Sequence, residues 1–187
     1  MNTPRSARGC RRSAALAAAA VVWCLSSVLA AQEGGGPKKA EAPGSVDVQV
    51  FVIMASKGEQ PQADTSLKEL AELLTANYGT RFNQFSLHRT TSVKIRLDQE
   101  QTCGLAADYF LKAKYVGADM SDEAAPKMDL ALRIVRITAD AEGKPAKEVG
   151  VLGPVGAKVV KDKFILLGGP KVDEKTMILA VRVTGSN

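Results

Sequence analysis

The single histidine and one cysteine are the residues of this chain best suited to nucleophilic chemistry. His88 lies in an alternating run, on the same side as Ser86 and Thr90, and this pattern predicts an exposed position on a strand. Cys103 follows Gln101 and Thr102 in a predicted loop. A catalytic cysteine needs a base and an orienting group within reach, and the surrounding sequence supplies no such set. We therefore predict no catalytic residues.

Metal and cofactor sites have little support in the sequence. A single histidine excludes a histidine-rich site. Asp119, Asp122 and Glu123 lie close together in a predicted loop, but efficient calcium loops place acids at alternate positions with a glycine at the bend. The glycine-rich spacing of a phosphate-binding loop does not occur. We expect a solvated acidic loop and predict neither a metal nor a cofactor.

Five cations on predicted strands form the one candidate binding face. If the third, fourth and fifth predicted strands are neighbours, one face of the sheet carries Lys94, Arg96, Lys112, Lys114 and Arg133. Such a face would suit an anionic lipid, a polysaccharide or an acidic partner. Nearby aspartates have the same parity and could pair with these cations across the strands. A solvated face of mixed charge is the favoured interpretation, with the binding face as the alternative.

The first 31 residues have the three parts of a secretory signal peptide. A basic segment with four arginines is followed by an apolar stretch over residues 14–25. Val28, Ala30 and Ala31 then supply the small side chains of a cleavage region, which predicts cleavage after Ala30 or Ala31. An uncleaved membrane anchor is the alternative, because residues 14–31 together nearly span a bilayer. We expect export through the general secretion pathway to the periplasm or the exterior.

The composition of the chain fits one globular domain behind this leader. The sequence has 187 residues, 45% of them hydrophobic, and a net charge of +5. Without the four leader arginines the 25 basic residues fall to 21, against 20 acidic residues. This balance argues against a strongly basic nucleic-acid binder. Removal of the leader would also remove Cys10 and Cys24, so no internal disulfide is expected.

The remaining sequence predicts a linker and a single domain. Residues 32–45 are rich in Gly, Pro, Ala, Lys and Glu, which is typical of a flexible tether. In the domain, residues 46–187, we expect a first strand at residues 46–54 and a helix from about Ser66 to Ala76, with Leu67, Leu70, Ala71 and Leu74 on its buried stripe. Period-two patterns follow, beginning with a hairpin that turns at residues 89–91.

These patterns predict an α+β domain. Its largely antiparallel, meander-like β-sheet would contain about seven to eight strands, with one N-terminal helix packed on one face. The function that fits best is an exported, noncatalytic module that binds a protein partner in the cell envelope. One alternative is a small-molecule or lipid-binding protein, which needs an apolar cavity between the helix and the sheet. A hydrolase that uses Cys103 and His88, or Asp and Glu residues, is the other. We expect no nucleic-acid partner, and contact with a membrane only through an uncleaved leader.

Overall fold

The computed structural model describes residues 42–122, 124–140, 142 and 144–187. The predicted leader with its cleavage region at Val28, Ala30 and Ala31, and most of the predicted linker, lie outside the described residues. The described elements, in chain order, are β1 (Ser45–Ser56), β2 (Gln62–Ala63), a 3-10 turn (Thr65–Leu67), α1 (Ala71–Tyr78), β3 (Gln84–Arg96), β4 (Glu100–Gly104), β5 (Tyr109–Asp119), β6 (Lys127–Ala139), β7 (Pro145–Val160), β8 (Phe164–Val172) and β9 (Lys175–Ser186). The prediction of a β-rich, largely antiparallel fold with one helix is confirmed.

The strands form two sheets, so the predicted single meander is wrong. The first sheet has the order β2-β3-β1-β9-β8, and the second has the order β4-β5-β6-β7. Every ladder is antiparallel except the short pairing of β2 with β3. The chain crosses between the sheets after β3 and again after β7. Alternation along a strand shows which residues face inward but does not identify the neighbouring strand, which is why the sequence did not separate the two sheets.

The main core lies between the inner faces of the two sheets. Val48, Val50 and Val52 of β1 alternate with partly exposed residues, and all three are buried in this core. The second sheet contributes Leu111 of β5 and Leu132 of β6. Full burial of a side chain of this size stabilises the fold by about 1.5–3 kcal/mol. Cys103, a free thiol, is also buried in this core.

The helical segment covers part of the outer face of the first sheet. Leu67, Leu70 and Leu74 of the predicted stripe are buried there against Ile53 of β1 and Ile178 of β9. Ala71, the fourth predicted member, is only partly buried. The α-helix begins at Ala71 rather than near Ser66, because residues 65–67 form a separate 3-10 turn, in which the Ser66 amide donates to the Asp64 side chain. The helix follows two strands, so it is not N-terminal. Among the described residues, no helix has the length and apolarity to cross a membrane.

The predicted hairpin at residues 89–91 is wrong, because β3 is one continuous strand. It pairs with β1 from Gln84 to Arg96. The residues predicted to turn are Arg, Thr and Thr, which lack the glycine or asparagine of tight hairpin turns and include two β-branched side chains. The register shifts once: Val52 lies opposite Arg89 while Ile53 lies opposite Leu87. This shift leaves His88 as the extra residue of a β-bulge.

Candidate functional site

Cys103 and His88 lie in different environments. The Cys103 side chain is only 3% exposed and belongs to the core between the sheets. Burial raises the pKa of its thiol, which keeps the sulfur protonated at neutral pH and unreactive as a nucleophile. His88 is exposed at the bulge of β3. No hydrogen bond joins the two side chains among the described residues. This arrangement gives the predicted cysteine–histidine alternative no geometric support.

Cys103 is expected to react with iodoacetamide at least about tenfold more slowly in the native protein than in the urea-unfolded chain at pH 8. The physical reason is the combination of low exposure and a raised thiol pKa. Mass spectrometry of the peptide that contains Cys103 would measure the rate separately from the leader cysteines. Rapid native labelling that disappears in His88→Ala would instead establish an activated thiol.

The acidic loop that follows β5 uses its carboxylates in local turns. Asp119 accepts a hydrogen bond from the Ser121 amide at 3.1 Å, and Asp122 accepts one from the Ala124 amide at 3.1 Å. The hydrogen bonds from Ser121 lower the pKa of Asp119. Glu123 lies outside the described residues. Among the residues that are described, no group of three or more His, Cys, Asp or Glu side chains is arranged to hold a metal ion.

The five candidate cations do not share a face. Lys94 and Arg96 belong to β3, and Lys94 pairs with Asp47 on the outer face of the first sheet. Lys112 and Lys114 alternate with buried residues of β5, so they lie on the outer face of the second sheet with Arg133. The predicted common face is therefore wrong, because the strands that carry these cations belong to opposite layers of the sandwich.

The cations of the second sheet are neutralised by nearby carboxylates. The Lys112 Nζ lies 2.6 Å from Glu148, and an Arg133 nitrogen lies 3.3 Å from Glu100. The hydrogen bond from Lys112 lowers the pKa of Glu148. Lys114 forms a separate ion pair with Asp98, at 3.0 Å. This half of the candidate face thus carries mixed charge, with its cations paired to carboxylates.

Arg182 is a further cation on the outer face of the first sheet that the sequence did not single out. Its guanidinium lies 4.8 Å from the centroid of the Phe164 ring, and its Nε donates to Gln49 at 2.8 Å. A terminal nitrogen of the same guanidinium donates to Glu69 at 3.0 Å. These contacts hold the helical segment to the sheet, so the arrangement is structural.

The free side of β3 differs from the other charged surfaces. β2 pairs only with Gln84 and Phe85, so β3 beyond them has a single neighbour, β1. We call residues 87–96 the β3 edge. The Leu87 amide donates to the Asp64 carboxylate. Between residues 88 and 95, the backbone makes no hydrogen bond to any described element other than β1. The β3 edge therefore presents unpaired amides and carbonyls along one side.

The side chains of the β3 edge are basic. The strand contains His88, Arg89, Lys94 and Arg96 and no acidic residue. Lys94 lies 3.7 Å from Asp47, whereas Arg89 and Arg96 have no carboxylate partner among the described residues. The basic composition of residues 84–96 is evident from the sequence. The position of this strand at an edge is not, because that depends on which strands pair.

Two surface clefts adjoin the end of the β3 edge nearest β2. One, of about 440 Å³, is lined in part by Ser86 and Phe85 of β3. The second, of about 360 Å³, lies beside His88. Met54 and Lys175 line both, so the two clefts adjoin each other. Clefts beside a free strand edge can receive side chains of an added strand, which is how strand addition acquires specificity.

Another free edge lies on β7, one of the two outermost strands of the second sheet. Val149 and Val151 are 44% and 41% exposed there, although both are large apolar side chains. The ladder between β6 and β7 shifts register in three places, which interrupts the flat surface that a neighbouring strand would need. The β7 edge is therefore apolar and irregular, in contrast to the basic β3 edge.

Comparison of the chain with known proteins gives no match to a protein-family model, to a curated protein or to a solved structure.

Proposed function

We propose that the protein is an exported, noncatalytic module that binds a protein partner in the cell envelope by adding an extended segment of that partner to the β3 edge. One observation carries this proposal: the backbone of residues 88–95 pairs with β1 on one side and is free on the other. Export rests on the signal-peptide pattern and the tether in the sequence.

Strand addition suits this edge for a physical reason. An extended segment would satisfy the free amides and carbonyls by main-chain hydrogen bonds, and its alternate side chains would reach the adjoining clefts. β2 already pairs with β3 in this way over two residues. A longer parallel segment would continue along the strand that β2 leaves uncovered. The bulge at His88 limits how far such a segment can pair without adjusting.

The other candidate functions have less support from the geometry. A lipid or small apolar ligand would need space between the helical segment and the first sheet. That interface is filled by Leu67, Leu70 and Leu74, which are at most 1% exposed, together with Ile53 and Ile178. A cysteine hydrolase would need a thiolate, and burial favours the protonated thiol of Cys103. A polar ligand in the clefts beside β3 would use the same surface as the proposed partner.

Photocross-linking in the native host tests the proposal. p-Benzoylphenylalanine placed at Ser92, on the β3 edge, is expected to give one discrete protein adduct. The same residue at Glu72, exposed on the far side of α1, is the matched control and is expected to give none. The mass of the adduct also reports whether the leader has been removed. Identical adducts from both positions, or none from either, would contradict partner binding at this edge.

A further inference from the structure

We infer, on the basis of the proposed function, that the partner segment is acidic and presents carboxylates at alternate positions to Lys94 and Arg96. These two cations are separated by one residue on an extended strand, so both project from the outer face of the first sheet. A strand added along β3 places every second side chain on that same face. Two acidic residues separated by one residue would therefore meet the two cations together.

The charge of the β3 edge selects the partner because the strand has no internal compensation. Lys94, Arg96 and Arg89 are its lysine and arginine residues, and no aspartate or glutamate occurs between Gln84 and Arg96. Arg89 lies opposite Val52, a residue of the inner core, so its side chain leaves the edge on the inner side. There its guanidinium reaches toward Gly104 of β4. The basic charge is thus distributed over both sides of an added strand.

The ion pair between Lys94 and Asp47 does not close the site. Its nitrogen–oxygen distance is 3.7 Å and both side chains are exposed, which makes it a weak surface pair of about 0–1 kcal/mol. A partner carboxylate that approaches Lys94 can share or replace Asp47 at little cost. Arg96 has no ion-pair partner to lose among the described residues. Both cations are therefore available to an incoming acidic strand.

The same charges disfavour a second copy of this chain as the occupant. In an edge-to-edge pairing of β3 with β3, the cations of the two copies would face a strand that carries no acid. Like charges across neighbouring strands are destabilising. Cations and bulges on edge strands are known devices against such self-association. An acidic segment from another protein would instead place carboxylates next to these cations, and the interaction across the strands would be attractive.

Binding of a synthetic peptide to the purified full-length chain tests the inference. The probe is a fluorescein-labelled peptide of alternating Glu and Val, about ten residues long, followed by fluorescence anisotropy at low ionic strength. The double variant K94E/R96E is expected to weaken binding by about tenfold to a hundredfold, since two attractive pairs become repulsive. K161E/K163E makes the same change of charge in the exposed turn after β7 and is expected to leave the affinity within about twofold of the unchanged protein.

The site of binding separates failure of this inference from failure of the proposed function. Peptide binding is expected to slow amide hydrogen exchange in residues 87–95 and not in β7. If a peptide with every Glu replaced by Gln binds equally well, the partner's acidic character is overturned. Slower amide hydrogen exchange at the β3 edge in the presence of that peptide would still support strand addition. Protection confined to β7, or equal weakening by both double variants, would overturn the assignment to Lys94 and Arg96. Binding of the unmodified chain to anionic lipid vesicles but not to the peptide would replace the acidic segment with a membrane surface.

Discussion

Leu74→Ala is expected to lower the free energy of unfolding by about 2–5 kcal/mol. Leu74 is fully buried between α1 and the first sheet, within the cluster that includes Ile53 and Ile178. The substitution removes apolar contact and leaves a cavity that the sheet cannot fill, because the backbone of the central strands is held by ladders on both sides. Urea denaturation followed by circular dichroism would measure the loss.

Leu73→Ala is the matched control for that prediction. Leu73 is the neighbouring residue on the same helix and is only partly buried. The two substitutions remove the same atoms and change the intrinsic helix propensity in the same direction, so any difference between them reports the depth of burial. We expect Leu73→Ala to cost about half as much or less. Equal losses would mean that α1 does not pack on the first sheet through the face that carries Leu74.

Gly153→Ala is expected to lower the free energy of unfolding by about 2–4 kcal/mol. Gly153 has a φ of +88°, in the left-handed region where a side chain is strained. A Cβ at this position would also lie 2.6 Å from the backbone oxygen of Leu132 and 2.9 Å from the backbone nitrogen of Val155. Both are ladder atoms that cannot move without disturbing the pairing of β6 and β7. Urea denaturation would measure this effect as well.

Gly156→Ala, on the same strand, provides the control. A Cβ at Gly156 meets no heavy atom within contact distance, and its φ is not in the left-handed region. The exchange is therefore expected to change the free energy of unfolding by less than about 0.5 kcal/mol. It also lowers the entropy of the unfolded chain, which acts in favour of the native state. A large loss in Gly156→Ala, or no loss in Gly153→Ala, would contradict the described path of β7.

Parts of the fold that depend on local periodicity were predictable. The leucines at positions 67, 70 and 74 have helical spacing, and all three are buried on the first sheet. In β1, every second residue from Val48 to Met54 is apolar and points to the same face of the strand. That alternation places the valines in the core between the sheets. The error at the start of the helix is also local. Residues 65–67 fit a cap and a first turn equally well, and only the hydrogen-bond pattern separates the 3-10 turn from α1.

The candidate site was predictable only in part. Lys94 and Arg96 were identified as members of a candidate face, and they lie together on β3. Their grouping with Lys112, Lys114 and Arg133 assumed that the strands are neighbours, whereas the structure places β3 in one sheet and β5 and β6 in the other. The prediction of a hairpin at residues 89–91 concealed the length of β3. Its free edge could not be recognised while the strand was divided in two.

The sequence by itself determined which residues of each element face inward, because the pleat of a strand and the turn of a helix are local geometries. It also determined the basic, acid-free composition of β3 and the scarcity of candidate catalytic groups. Only the tertiary structure decided that β2 covers two residues of β3 and that Lys112 faces away from Lys94. Strand pairing is made by hydrogen bonds between segments far apart in the chain, and backbone amides and carbonyls are the same at nearly every residue. For that reason a local pattern identifies a strand, while the fold as a whole decides which strands are left with free edges.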